Sequence, residues 1–180
     1  MSRLNRYHAR FILILHIVFV PLLWAASVQA DEGAEFVATP YVPQKVIFDF
    51  YFDDPQKINA GLYWIRSFMG PLLDEPYGYA PEMLDIKVVI HGTEIVTLAR
   101  KNYAQYRDAV ERMRYYAELG VEFKVCALAA RDFDYTREDF QDFVQVVPSA
   151  MTELVHWQMQ GYGLITPRIM NKHRANDEIR

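Results

Sequence analysis

Hydrophobic positions along this chain change period repeatedly. Lys45 to Phe52 carries Val46, Ile47, Phe48, Phe50, Tyr51 and Phe52, a run of β-branched and aromatic residues that predicts a strand. Its near-continuity predicts burial on both faces, as in a parallel sheet. Asp54 then stands at a helix N-cap, with Pro55 at the first helical position, where a missing N–H costs nothing. Ile58, Leu62, Ile65, Met69 and Leu72 follow at spacings of four and three, one stripe of a helix. Met83 to Ile90 is a second strand, ending at His91-Gly92. A short helix over Glu94 to Ala99 precedes a long one over Tyr103 to Leu119. The long helix carries Tyr106, Val110, Met113 and Ala117 on one face and has Gly120 as its stop. Val121 to Cys126 is a third strand, and Ala127 to Ala130 opens a helix directly behind it. Thr136-Arg-Glu-Asp139 has the outline of a capped helix start, with Asp in place of the usual Glu or Gln. Val144 to Val147 is a fourth strand. Ser149 caps a helix with Met151, Leu154, Val155 and Gln158, and Gly163 to Thr166 supplies a short last strand.

This alternation of strand and helix predicts an open parallel sheet with helices on both faces, an α/β fold. Sites in such sheets form at the carboxyl ends of the strands. Asp53 and Asp54, His91, and Cys126 fall at the ends of the first three.

The ends of the chain have a different character. Arg3, Arg6 and Arg10 precede a largely apolar run from Phe11 to Ala26, and Val28 and Ala30 are small residues at cleavage-site spacing. This pattern predicts residues 1–30 to be a signal peptide cut after Ala30, and the protein to be exported to the periplasm. The run is broken by Pro21 and is shorter than the ~20 apolar residues of a spanning helix, so no membrane anchor is expected after cleavage. Residues 31–44 form an extended leader with Pro40 and Pro43, residues 45–167 the folded domain, and residues 168–180 a polar tail.

Charge narrows the partners. The whole chain has a formal net charge of −4, and the first thirty residues hold three of its 19 basic residues and none of its 23 acidic ones, so removing them leaves −7. That disfavours nucleic acid and anionic membrane surfaces. Tyrosine (12) and phenylalanine (11) are abundant. Tyr115, Tyr116, Phe133, Tyr135, Phe140, Phe143 and Trp157 cannot all point inward from one small core, which suggests a subunit interface.

The candidate chemistry centres on Cys126, the single cysteine. With no second cysteine, no internal disulfide forms and Cys-x-x-Cys redox chemistry is excluded. A thiol between a strand end and a helix start faces the positive end of the helix dipole. The bland alternative is a small buried hydrophobe. His91 could approach Cys126 and stabilise its thiolate if the second and third strands are neighbours; its bland role is to bond a loop carbonyl. His156 and His173 are expected to be solvated. No Cys, His or carboxylate cluster has metal-ligand spacing, no Gly-x-Gly-x-x-Gly follows a strand, and no cofactor is called for. Asp53 and Asp54 resemble the acidic pocket of a phospho-receiver domain. The aspartate and lysine that pocket needs after later strands are missing, since Cys126 and Thr166-Pro167 stand there. A cysteine hydrolase, with Asp49 or Asp53 as base to Cys126, is a further alternative.

Taken in order, His91-Gly92 after an apolar strand, Leu119-Gly120-Val121-Glu122-Phe123 closing a long helix, Val125-Cys126, Val146-Val147-Pro148-Ser149 and Gln160-Gly161-Tyr162 resemble the DsrE/DsrF-like family of the sulfur-relay superfamily, over about Lys45 to Pro167. The resemblance implies a three-layer α/β/α fold around a five-stranded, mainly parallel sheet, and assembly into trimers or hexamers. It further implies a sulfur carrier whose strand-end cysteine, here Cys126, holds sulfur as a persulfide exchanged with a donor or acceptor protein. Family members of that kind are cytoplasmic, and the loop Ala127-Leu-Ala-Ala-Arg131 departs from the Gly-Asn-like start of exported relatives. A non-catalytic oligomeric binding module with a structural cysteine is the alternative.

Overall fold

The computed structural model describes residues 33–180; the signal segment expected over residues 1–30 lies outside the described residues. Ala38–Arg180 is one compact unit. Its elements are β1 (Gln44–Phe50), α1 (Ile58–Leu73), β2 (Leu84–Ile90), α2 (Tyr103–Glu118), β3 (Glu122–Cys126), α3 (Ala127–Asp132), β4 (Val144–Val147), α4 (Ala150–Met159) and β5 (Gly163–Ile165). The five strands form one sheet in the order β4-β3-β2-β1-β5, and every pairing is parallel.

Side-chain alternation divides the sheet into two faces. Phe48, Phe50, Val88, Ile90, Phe123 and Val125 join the α1 stripe and Val110, Met113 and Tyr116 of α2 in the larger core. Ile47, Val89 and Cys126 point to the other face, where Ala150 and Leu154 of α4 cover them together with Tyr162. The chain therefore steps from β1 to β4 in one direction, and α4 returns it across the opposite face to β5, beyond β1. This is the three-layer α/β/α arrangement.

The local signals operate as expected at several points. The Asp54 carboxylate accepts from Gln56 N at 2.8 Å, and Pro55 opens the turn that leads into α1. All five stripe residues of α1 are buried. Gly120 takes φ +92° and ends α2, where Val121 N donates to Tyr116 O at 3.0 Å; this is the left-handed position that a residue with Cβ adopts at a cost.

Elsewhere the tertiary context prevails. Thr136 and Asp139 form a capping box, but only one 3-10 turn follows, at Arg137–Asp139. Phe140 is drawn into the core at 1 % exposure and Gln141 N donates to Leu98 O at 3.1 Å, so the backbone leaves the helical path. In α4, Met151 and Val155 face outward while Ala150 and Leu154 are buried. Of the aromatics expected not all to point inward, Tyr116, Tyr135 and Phe140 are core residues, whereas Tyr115 and Phe133 are exposed. In the tail, Ile169 packs against the main core.

Candidate functional site

The carboxyl edge of the sheet is organised by a buried carboxylate that the sequence did not flag. Glu94 is fully buried, and its Oε2 accepts from Phe52 N (2.9 Å) while Oε1 accepts from Gly92 N (3.0 Å). Thr93 adds two bonds to Phe52 O, from its backbone N and its hydroxyl, each 2.9 Å. The loop after β2 is thus tied to the end of β1. Burial raises the pKa of Glu94, opposed by the same two backbone donors. Gly92 is required because a Cβ there would stand 2.5 Å from Glu94 Oε2, 2.5 Å from Phe52 N and 2.6 Å from Phe52 O.

This clamp fixes His91, whose own N–H donates to Phe50 O at 3.1 Å. The His91 ring stacks on exposed Tyr51 (centroids 4.8 Å apart, 23° between planes), and its Nε2 lies 2.7 Å from Asp49 Oδ1. Thr166 Oγ1 reaches the other Asp49 oxygen at 3.4 Å. A cleft of about 630 Å³ opens above, walled by Tyr51, His91, Thr93, Ala129, Phe133 and Ile169.

Cys126 ends β3 at the N-cap of α3. Ile90 pairs with Val125, so His91 and Cys126 stand one residue past that pair on neighbouring strands. The hydrogen bond of the His91 ring nevertheless goes the other way, to β1. Cys126 is 5 % exposed and packs among Ile47, Val89, Ala150, Leu154 and Tyr162. It does not line the cleft. Ala129 lines the cleft and also packs against the cluster that holds Cys126. Of the carboxylates considered as bases, Asp49 is engaged with His91 and Asp53 pairs with Lys57 at 2.6 Å. Among the described residues, no group of three or more His, Cys, Asp or Glu could hold a metal ion.

At the opposite edge of the α4 face lies a second cluster that sequence reasoning missed. Lys87 lies in the middle of β2, only 3 % exposed, bonded to Asp85 (2.9 Å) and Glu122 (2.7 Å). Its ammonium sits 4.1 Å from the Trp157 ring centroid. Lys124 pairs with Glu122 (3.0 Å) and Gln145 (2.7 Å), and Tyr162 donates to Asp85. Burial raises the pKa of Asp85 and of Glu122, but bonds from Tyr162 and Lys87 to the first, and from Lys87 and Lys124 to the second, outweigh it and hold both below their ordinary values. The usable signal was a lysine inside an otherwise apolar strand.

An all-parallel five-stranded sheet between helical layers, with a cleft and a single cysteine at its carboxyl edge, defines a three-layer α/β protein, a class whose ligand sites form at strand ends. The model of the DsrE/DsrF-like family matches residues 45–167, and the chain belongs to that family, which is linked to sulfur relay. No curated protein matches the chain. Among solved structures it is similar to a protein of unknown function from Methanobacterium thermoautotrophicum, with 22% identity and a TM-score of 0.55, over 69% of this chain and 99% of that one. That similarity concerns the fold.

Proposed function

We propose that this protein handles sulfur through Cys126, working as a homo-oligomer (a trimer or hexamer) in the periplasm after cleavage behind Ala30. The observation that carries the reading is the position of the only cysteine, at the carboxyl end of a parallel strand in a family linked to sulfur relay. The Cys126 thiolate attacks the sulfane sulfur of a persulfide or of thiosulfate. The donor S–S bond breaks, a thiolate or sulfite leaves, and Cys126 becomes a persulfide, with no external oxidant. His91, in the next row of the neighbouring strand, is the group assigned to stabilise the thiolate. Because Ala150 and Leu154 of α4 and Tyr162 cover Cys126, that packing must open for a donor to enter.

The test is intact-mass measurement after incubation with polysulfide or thiosulfate. The wild-type chain gains one sulfur and Cys126→Ala gains none. Equal masses for the two proteins end the carrier reading.

The burial of Cys126 favours one other reading, a non-catalytic oligomeric binding module with a structural cysteine. In that case the native thiol stays inert to Ellman-type reagents and reacts only after denaturation.

A further inference from the structure

The helical layer over the larger core contains a second ligand-sized space, whose lining shares no residue with the cleft beside His91 and does not include Cys126. Between α1 and α2 lies a groove of about 480 Å³, within the range of small-molecule sites. Its base is apolar: Met69, Leu73 and Leu119, with Met69 buried and the other two packed against the core. Tyr63 from α1 and Tyr115 from α2 line it and are 62% and 56% exposed.

Two guanidiniums complete the lining, Arg66 from α1 and Arg112 from α2. Neither forms an ion pair with any described carboxylate, whereas Arg114 pairs with Asp142 at 2.8 Å and Arg137 with Glu138 at 2.5 Å. The two unpaired cations also converge. Burial raises the pKa of the Tyr116 phenol in the same groove, and both Arg112 and Arg66 oppose that rise. In a chain of net charge −4, this is a locally cationic rim over an apolar floor. Guanidinium forks match planar or tetrahedral oxyanions, and the floor rewards burial of an apolar body.

We infer that the α1–α2 groove binds an anionic amphiphile, its carboxylate or sulfonate head held between Arg66 and Arg112 and its apolar chain or ring laid over Met69, Leu73 and Leu119 between Tyr63 and Tyr115. This site is independent of the sulfur chemistry assigned to Cys126.

The experiment is calorimetric titration of the purified protein with decanoate and, separately, with decyltrimethylammonium, which has the same chain and the opposite charge. Decanoate saturates at one per chain, and the cationic amphiphile does not bind the groove. Arg66→Gln and Arg112→Gln each weaken decanoate by about tenfold, the scale of one charge-assisted bond. Arg66→Glu combined with Arg112→Glu reverses the preference toward the cation. Both side chains are exposed, so the melting transition of each variant stays near that of the wild type, which separates lost binding from lost folding. Equal binding of the two amphiphiles by the wild type, or decanoate binding that survives the double charge reversal, overturns the assignment.

Discussion

Replacing Gly92 with alanine tests the clamp that shapes the carboxyl edge. The new Cβ would stand 2.5 Å from Glu94 Oε2 and 2.5 and 2.6 Å from the N and O of Phe52. Two of those atoms are backbone at the end of β1 and cannot swing aside. The loop must retreat, and Glu94 then loses its bonds to Phe52 N and Gly92 N, at 2.9 and 3.0 Å. Each is a buried bond to a carboxylate, so Gly92→Ala costs about 3–6 kcal/mol. That is a large share of the ~5–15 kcal/mol that holds a domain folded. Urea unfolding followed by circular dichroism measures it, and the thermal midpoint falls by roughly 10 °C or more. Glu94→Ala removes the same two bonds from the other side. The double variant therefore loses less than the sum of the two single changes, by about 2 kcal/mol or more. A Gly92→Ala protein within about 1 kcal/mol of wild type, or strict additivity with Glu94→Ala, refutes the clamp.

Burial raises the Glu94 pKa above its ordinary 4.5, so the folded chain holds that proton more tightly than the unfolded chain does. Ionising Glu94 therefore opposes folding increasingly as pH rises from 4.5 through its folded pKa, and urea midpoints should show wild type losing ground to Glu94→Gln as pH rises above 4.5. Asp85 and Glu122 have the opposite sign: their lowered values contribute stability present above 3.8 and 4.5 and lost as pH falls through the folded pKa, a loss that acid unfolding of Lys87→Met should show much reduced. At neutral pH, Lys87→Met leaves two half-exposed carboxylates without their shared cation and costs about 1–3 kcal/mol, discounted for solvent screening; an unchanged or raised urea midpoint contradicts the role given to this lysine. Leu62→Ala, at the fully buried centre of the α1 stripe, costs about 2–5 kcal/mol in the same assay, and a smaller loss would mean that the α1 face is not packed as described.

Much of the fold is legible in one dimension because its determinants are local. The α1 stripe, the Asp54-Pro55 start and the Gly120 stop each depend on residues within a turn or two of one another, and each holds. The apolar run of β1 announced a strand buried on both faces, and the parallel sheet supplies both. Local signals failed where a distant group competed. Thr136 and Asp139 form their box, yet the turn stops because Phe140 has a place in the core. Of the seven aromatics that could not all point inward, Tyr116, Tyr135 and Phe140 lie in the core and Tyr115 and Phe133 outside it, a division their spacing could not reveal because it depends on how many elements meet around each.

The order of elements, the α/β class, the strand-end positions of His91 and Cys126 and the membership of a sulfur-relay family were determined by the sequence itself. Only the tertiary structure decided the environment of each reactive group. Strand order and parallel register brought Asp49 to His91 across 42 residues, Glu122 to Lys87 across 35 and Asp85 to Tyr162 across 77. The same register put Cys126 under α4 and kept it out of the cleft lining. Periodicity records which face of its own element a side chain occupies. It does not record what lies opposite, because that depends on which strands become neighbours, and the partner of a buried charge or thiol is a property of the neighbour.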